Sequence, residues 1–152
     1  YGQRSYVDIF NSHTFPCDSE ATTLDINICS GEKFDFADSL LNRLYKNILQ
    51  GIDKEIASDS KQLTELQKLK IKNKESESNI DVLIKEIDFD KRLKQSIIKS
   101  QVQWIKLRDA NSEVVAINCE GGTGCTAEIN SGLLEDTLLR IKQLEAFYYV
   151  YD

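Results

Sequence analysis

LDINICSGEKFDFADSLLNRLYKNILQGIDKEI, Leu24 to Ile56, is the stretch that decides the fold. Apolar residues recur in it at Leu24, Ile28, Phe34, Ala37, Leu41, Leu44, Ile48, Ile52 and Ile56. The steps are mostly three or four, which is the repeat of a helix with one buried face and not the alternation of a strand. Gly31 falls in the gap of the stripe, where it predicts a kink or the close approach of another backbone. Just upstream, Thr22 followed by Asp25 is a helix start, with a side-chain oxygen placed to cap free backbone N–H groups.

Outward from this helix the same signal repeats. Leu63, Leu66 and Leu69 form a shorter stripe after candidate caps at Ser58 and Ser60. The polar KNKESESN, Lys72 to Asn79, reads as a turn or loop between helices. Ile80, Ile84, Ile87, Leu93, Ile97, Trp104 and Leu107 mark a further long helix reaching toward Asn118, with Asp88 or Asp90 as a candidate break. CEGGTGC, Cys119 to Cys125, carries three glycines and reads as a tight turn. A last helix holds Ile129, Leu133, Leu134, Leu138, Ile141 and Leu144 and ends in Phe147, Tyr148 and Tyr149. Upstream, residues 1–18 contain Pro16, lack helical periodicity and read as an extended lead-in; 19–152 read as one helical domain. The expected fold is all-α, a small antiparallel bundle of three to four helices.

Composition agrees. The 152 residues suit one domain, and 41% hydrophobic with 29% charged residues is a globular balance that argues against disorder. One proline and seven glycines favour long helices over a sandwich of short strands. No apolar run approaches the roughly 20 residues of a membrane-spanning helix. The formal net charge of −6 repels nucleic acid and anionic membranes and attracts basic partners, besides serving solubility. The chain opens on Tyr1 and has no methionine, which fits a mature chain whose leader has been removed, although a trimmed boundary gives the same sequence.

Four cysteines, Cys17, Cys29, Cys119 and Cys125, form two close pairs suited to disulfides in an oxidising compartment. Zinc is the competing reading, but neither pair has C-x-x-C spacing and the single histidine, His13, stands alone. Three connectivities are open, of which Cys17–Cys29 with Cys119–Cys125 closes the shortest loops. No metal is expected.

Several motifs are more specific. CDSEATTLDINIC sets Cys17 and Cys29 twelve positions apart, and Asp38, Leu41, Asn42 and Tyr45 follow as D-x-x-L-N-x-x-Y. SQVQWIKLRDA spans Ser100 to Ala110, the pair Gly121–Gly122 comes next, and Thr137, Arg140 and Leu144 form T-x-x-R-x-x-x-L. In this order, from about Cys17 to Leu144, the chain resembles the LprI-type lysozyme-inhibitor family of small secreted or periplasmic bacterial helical domains. The resemblance implies a protein-binding domain, with lysozyme the candidate partner. It also implies the Cys17–Cys29 link. Many members carry a cysteine shortly after R-D-A, where Ser112 stands here, and its partner near Gly132; this chain offers Cys119 and Cys125 instead.

Gln101, Trp104 and Arg108 share one helix face, as do Asp38, Leu41, Asn42 and Tyr45 on the first helix. These faces are expected to meet, Arg108 pairing with a carboxylate such as Asp38 and Asn42 bonding backbone or side chain. Arg140 joins the same polar set. A buried polar group without a partner costs about 1–3 kcal/mol, so the set reads first as structural, with a binding pocket as the alternative.

Other candidates carry less. His13 reads as a solvated loop residue. Lys68, Lys70, Lys72 and Lys74 are flanked by Glu65, Glu75 and Glu77 and read as a solvated face. Glu135 and Asp136 are adjacent, so on a helix they diverge by about 100° and cannot serve one glycosidic bond. CEGGTGC lacks the G-K-[ST] ending of a phosphate loop. The Phe147–Tyr149 tail reads equally as a partner-binding tip or a last packed turn. No nucleophile–base pair or cofactor loop is present, so neither catalysis nor a cofactor is expected. The leading expectation is a secreted or periplasmic lysozyme inhibitor, with an envelope adaptor or immunity-type module for a non-lysozyme partner as the alternative. The removed leader is also compatible with a lipid anchor ahead of Tyr1.

Overall fold

The computed structural model describes residues 5–15, 17, 22–68 and 74–148. Of these, 90% are helical, and no strand occurs among them. The helices are α1 (Tyr6–Asn11), α2 (Thr23–Lys68), α3 (Lys74–Asn118) and α4 (Cys125–Tyr148).

α2 begins as its sequence indicates. The Asp25 backbone N–H donates to Thr22 Oγ1 at 3.2 Å, and the Thr22 hydroxyl donates in turn to the Asp25 carboxylate, so the first turn is closed from both sides. The stop expected before Leu63 does not occur. Ser58 and Ser60 lie inside one continuous helix, because no proline or glycine stands between Gly51 and the helix end at Lys68 and the Lys-, Glu- and Gln-rich stretch propagates readily. The polar KNKESESN is likewise helical from Lys74 onward, and its first two residues, with Leu69, Lys70 and Ile71, lie outside the described ones. α3 passes unbroken through Asp88 and Asp90, where Arg92 reaches back one turn to Asp88 at 2.9 Å. The lead-in is not wholly extended either. α1 forms within it, capped by Ser5 Oγ, which accepts from the Val7 N–H at 3.1 Å. Residues 1–4, Pro16 and residues 18–21 lie outside the described ones.

The chain divides into two compact units, one of Tyr1–Lys46 with Gln103–Val150 and one containing Asn47–Val102. In the first unit, partner numbers between α2 and α4 rise together, Asn27 with Ala127 and Ser30 with Asn130, so these helices run parallel. Between α3 and α4 they run in opposite senses, Asn111 with Asp136 and Cys119 with Cys125. The result is an up-down-up packing of three helical segments, with α1 laid against α4. Its core is Ala37, Leu40, Leu41, Leu44, Ile141 and Leu144. Each of the larger ones contributes about 1.5–3 kcal/mol by burial.

In the second unit the two strands of helix are antiparallel. Lys94 bonds both Asp53 oxygens, at 2.6 and 2.7 Å, while Asp90, earlier in α3, feels Glu55 and Asp59, later in α2. Ile48, Ile52, Leu83, Ile87 and Ile97 fill its interior.

The apolar stripes err where two neighbours compete for one inward position. Leu24 and Ile28 are exposed; next door Cys29 is buried, and adjacent helical residues point about 100° apart. For the same reason Leu107 faces out because Arg108 faces in, and Ile84 faces out beside buried Leu83.

Candidate functional site

Of the polar residues singled out on α2, α3 and α4, Asp38, Asn42, Arg108 and Arg140 converge in the first unit around Trp104. Arg108 Nη1 lies 3.1 Å from Asp38 Oδ1. Its Nε and Nη2 both donate to Asp109 Oδ1, at 3.2 and 3.1 Å. The same guanidinium lies over the Trp104 ring at 5.1 Å and over Phe34 at 5.7 Å, within the range of cation–π attraction. Arg140 approaches Trp104 at 5.8 Å, and its Nη1 donates to Gln143 Oε1 at 3.4 Å. Asn42 donates to Asp38 Oδ2 at 2.8 Å, fixing the carboxylate that Arg108 uses. Tyr45 is half-buried one turn beyond Leu41. Gln101 is buried too, but in the second unit.

The two cations are largely withdrawn from solvent, while Asp109 and Asn42 beside them are exposed. The Arg108 side chain is 15% exposed and Arg140 only 7%. Thr137, one turn before Arg140, is fully buried, and its Oγ1 is the one buried side-chain oxygen or nitrogen among the described residues that lacks a hydrogen-bond partner. Chemically the arrangement sets two planar cations against one indole, with the Asp38 and Asp109 carboxylates neutralising Arg108.

The other organised corner is built on the cysteines. Cys17 is bonded to Cys29 and Cys119 to Cys125. The α3–α4 turn depends on Gly121, whose φ of +80° is left-handed backbone that side chains other than glycine's resist. At Gly122 an added Cβ would come within 3.1 Å of the Cys119 carbonyl. Asn27, on α2, ties this turn down. It donates to the Thr123 carbonyl at 3.1 Å and accepts from the Ala127 N–H at 3.1 Å. An α2 side chain thus caps the start of α4, satisfying one of its free donors. Gly31 lies inside α2 facing α4, where an added Cβ would meet the Asn130 side-chain Nδ2 at 3.5 Å, an ordinary contact. Sequence reasoning missed Asn27, although it lies inside the cysteine motif, because nothing local marks a cap supplied by another helix.

At α1, Glu145 of α4 accepts from the Ser5 hydroxyl at 2.8 Å and from the Tyr6 N–H at 2.6 Å. A carboxylate there also meets the positive end of the helix dipole. His13 is exposed but not merely solvated: it stacks on Phe36 at 4.2 Å and meets Phe15 edge-on at 4.7 Å. Of the aromatic tail, Phe147 is exposed, the Tyr148 side chain and Tyr149 lying outside the described residues. So do Lys70 and Lys72 of the basic run.

A groove of about 290 Å³ runs between α2 and α4, walled by Ile26, Cys29, Ser30, Ala127 and Leu134 with Lys33 at its edge. Both cysteines of the first pair border it and both are bonded, so it offers no thiol nucleophile. No group of three or more His, Cys, Asp or Glu able to hold a metal occurs among the described residues.

The family model described as "Lysozyme inhibitor LprI" matches residues 17–144, from the first cysteine to the buried Leu144. No curated protein and no solved structure matches the chain.

Proposed function

The chain belongs to the LprI lysozyme-inhibitor family, and on that premise we propose that it binds lysozyme and blocks access to the glycan cleft. The observation that carries the reading is the span of the match, which takes in the Cys17–Cys29 link, the Trp104 cluster and the α3–α4 turn together. A rigid, disulfide-pinned helical unit suits inhibition by occlusion, because little conformational entropy is lost when it docks. The net charge of −6 supports it too, since lysozyme is strongly basic and opposite charge steers encounter. The proposed place of action is outside the cell or in the periplasm, where both disulfides persist.

In this reading the Trp104 cluster orients the helices and the enzyme is met elsewhere. The low exposure of Arg108 and Arg140 supports that division. The test is a cell-wall lysis assay with several lysozyme classes. Dose-dependent loss of lysis is expected for at least one class; undiminished lysis by every class at large molar excess overturns the proposal.

A further inference from the structure

α3 presents a second apolar face that the first unit leaves uncovered. Ala110, Val114 and Ile117 are four and three apart, all exposed, with Val114 at 58% and Ile117 at 72%. Val115, adjacent in sequence, packs inward toward Gly132 of α4, so the Val114 stripe points to solvent. The first turns of α2 lie at the same end of the unit, as the Asn27–Thr123 bond shows, and they add Leu24 at 67% and Ile28 at 53% exposure. Large apolar side chains grouped at one end of a small unit mark an interaction surface.

Charge identifies what covers it. From Asp109 to Leu139 there is no lysine or arginine, while Asp109, Glu113, Glu120, Glu128, Glu135 and Asp136 are acidic. From Thr22 to Glu32 the pattern is the same, with Asp25 and Glu32 and no base. The flanking bases, Lys106 and Arg108, stand just before the first span and Lys33 just after the second. Within these two spans the charged side chains are all carboxylates, with Glu113 and Glu120 exposed beside the stripe; Lys106, one turn before Ala110, bounds the face on its far side. A second copy of the chain would bring like charge to like, which disfavours self-association.

We propose that the Ala110–Val114–Ile117 face of α3, with Leu24 and Ile28 of α2, is the docking surface for a basic protein, and, resting on the reading above, that this protein is lysozyme. The apolar stripe supplies the desolvated centre and the carboxylates the rim, the division seen in protein interfaces generally.

The test uses the full chain, lysozyme as probe, and two double variants at exposed positions. Val114→Ser with Ile117→Ser removes the centre; Glu113→Lys with Glu120→Lys reverses the rim. Phe89→Ser, exposed in the second unit, is the control. Melting curves confirm that each variant folds. Both double variants are expected to weaken inhibition at least tenfold, the charge reversal acting mainly on the association rate and flattening its salt dependence. Phe89→Ser is expected to inhibit as the wild type does. If the wild type inhibits and both double variants match it, the surface assignment is overturned and the inhibitor reading stands. If the wild type inhibits no lysozyme, the inhibitor reading falls first, and this proposal with it.

Discussion

Asn27 of α2 closes the start of α4: its side-chain oxygen takes the Ala127 N–H and its side-chain nitrogen gives to the Thr123 carbonyl, both at 3.1 Å. One amide thereby replaces the cap that α4 lacks locally, where Gly124 precedes Cys125. It also couples the two cysteine pairs, since Asn27 lies two residues before Cys29 and contacts the loop that Cys119–Cys125 closes.

Asn27→Ala should therefore cost about 1–2 kcal/mol, the usual loss of an N-cap. A chain of this size loses about 2–4 °C of melting temperature per kcal/mol. Asn27→Asp keeps the acceptor but loses the donor to Thr123, so it should melt between the two. An Asn27→Ala protein melting with the wild type would falsify the cap.

Arg108→Ala should lower the melting temperature more than Arg108→Lys. Alanine removes both the pairing with Asp38 and the stacking on Trp104, whereas lysine keeps a charge near Asp38 but not the planar fork. The alanine change is expected to cost about 1–3 kcal/mol, the scale of a lost charge-assisted bond. Equal melting of all three proteins would remove the Trp104 cluster from the scaffold.

Peptide mapping without reductant should recover Cys17 linked to Cys29 and Cys119 linked to Cys125. By loop-closure entropy the two links contribute on the order of 2–3 kcal/mol each. The Cys17→Ser/Cys29→Ser variant should be the less stable of the two paired replacements, because Cys29 is also a buried core side chain. Recovery of free thiols at all four positions is the contrary result.

Asp90 sets a pH dependence. Burial, then Asp59 and then Glu55, raise its pKa above the usual carboxylate value of 3.8. Lys94, one turn further on, is engaged with Asp53. Between the unfolded and folded values the native state holds the proton more tightly, so stability falls as pH rises through that window. Asp90→Asn removes the penalty. It should melt above the wild type at pH 7, with the gap closing as pH falls toward 4; a gap independent of pH would show that Asp90 is not the titrating group.

The residues themselves decided much of this. The stripe from Ala37 to Ile52, the Thr22–Asp25 start and the cysteine spacings were legible because local chemistry fixes them: helical period, capping and loop length act within a few residues. What local chemistry leaves degenerate, packing resolved. A helix whose neighbours Ile28 and Cys29, or Leu107 and Arg108, both suit burial has two near-equal rotations, and only contact with a second helix chooses between them. The same holds for the α4 cap, which depends on a side chain 100 residues away. That choice of rotation buried Arg108 beside Trp104 and turned Leu107 outward. Sequence alone thus determined the helical class, the main buried stripe and the family; tertiary structure decided the helix limits, the cysteine pairing among the three open ones, and which faces remain for a partner.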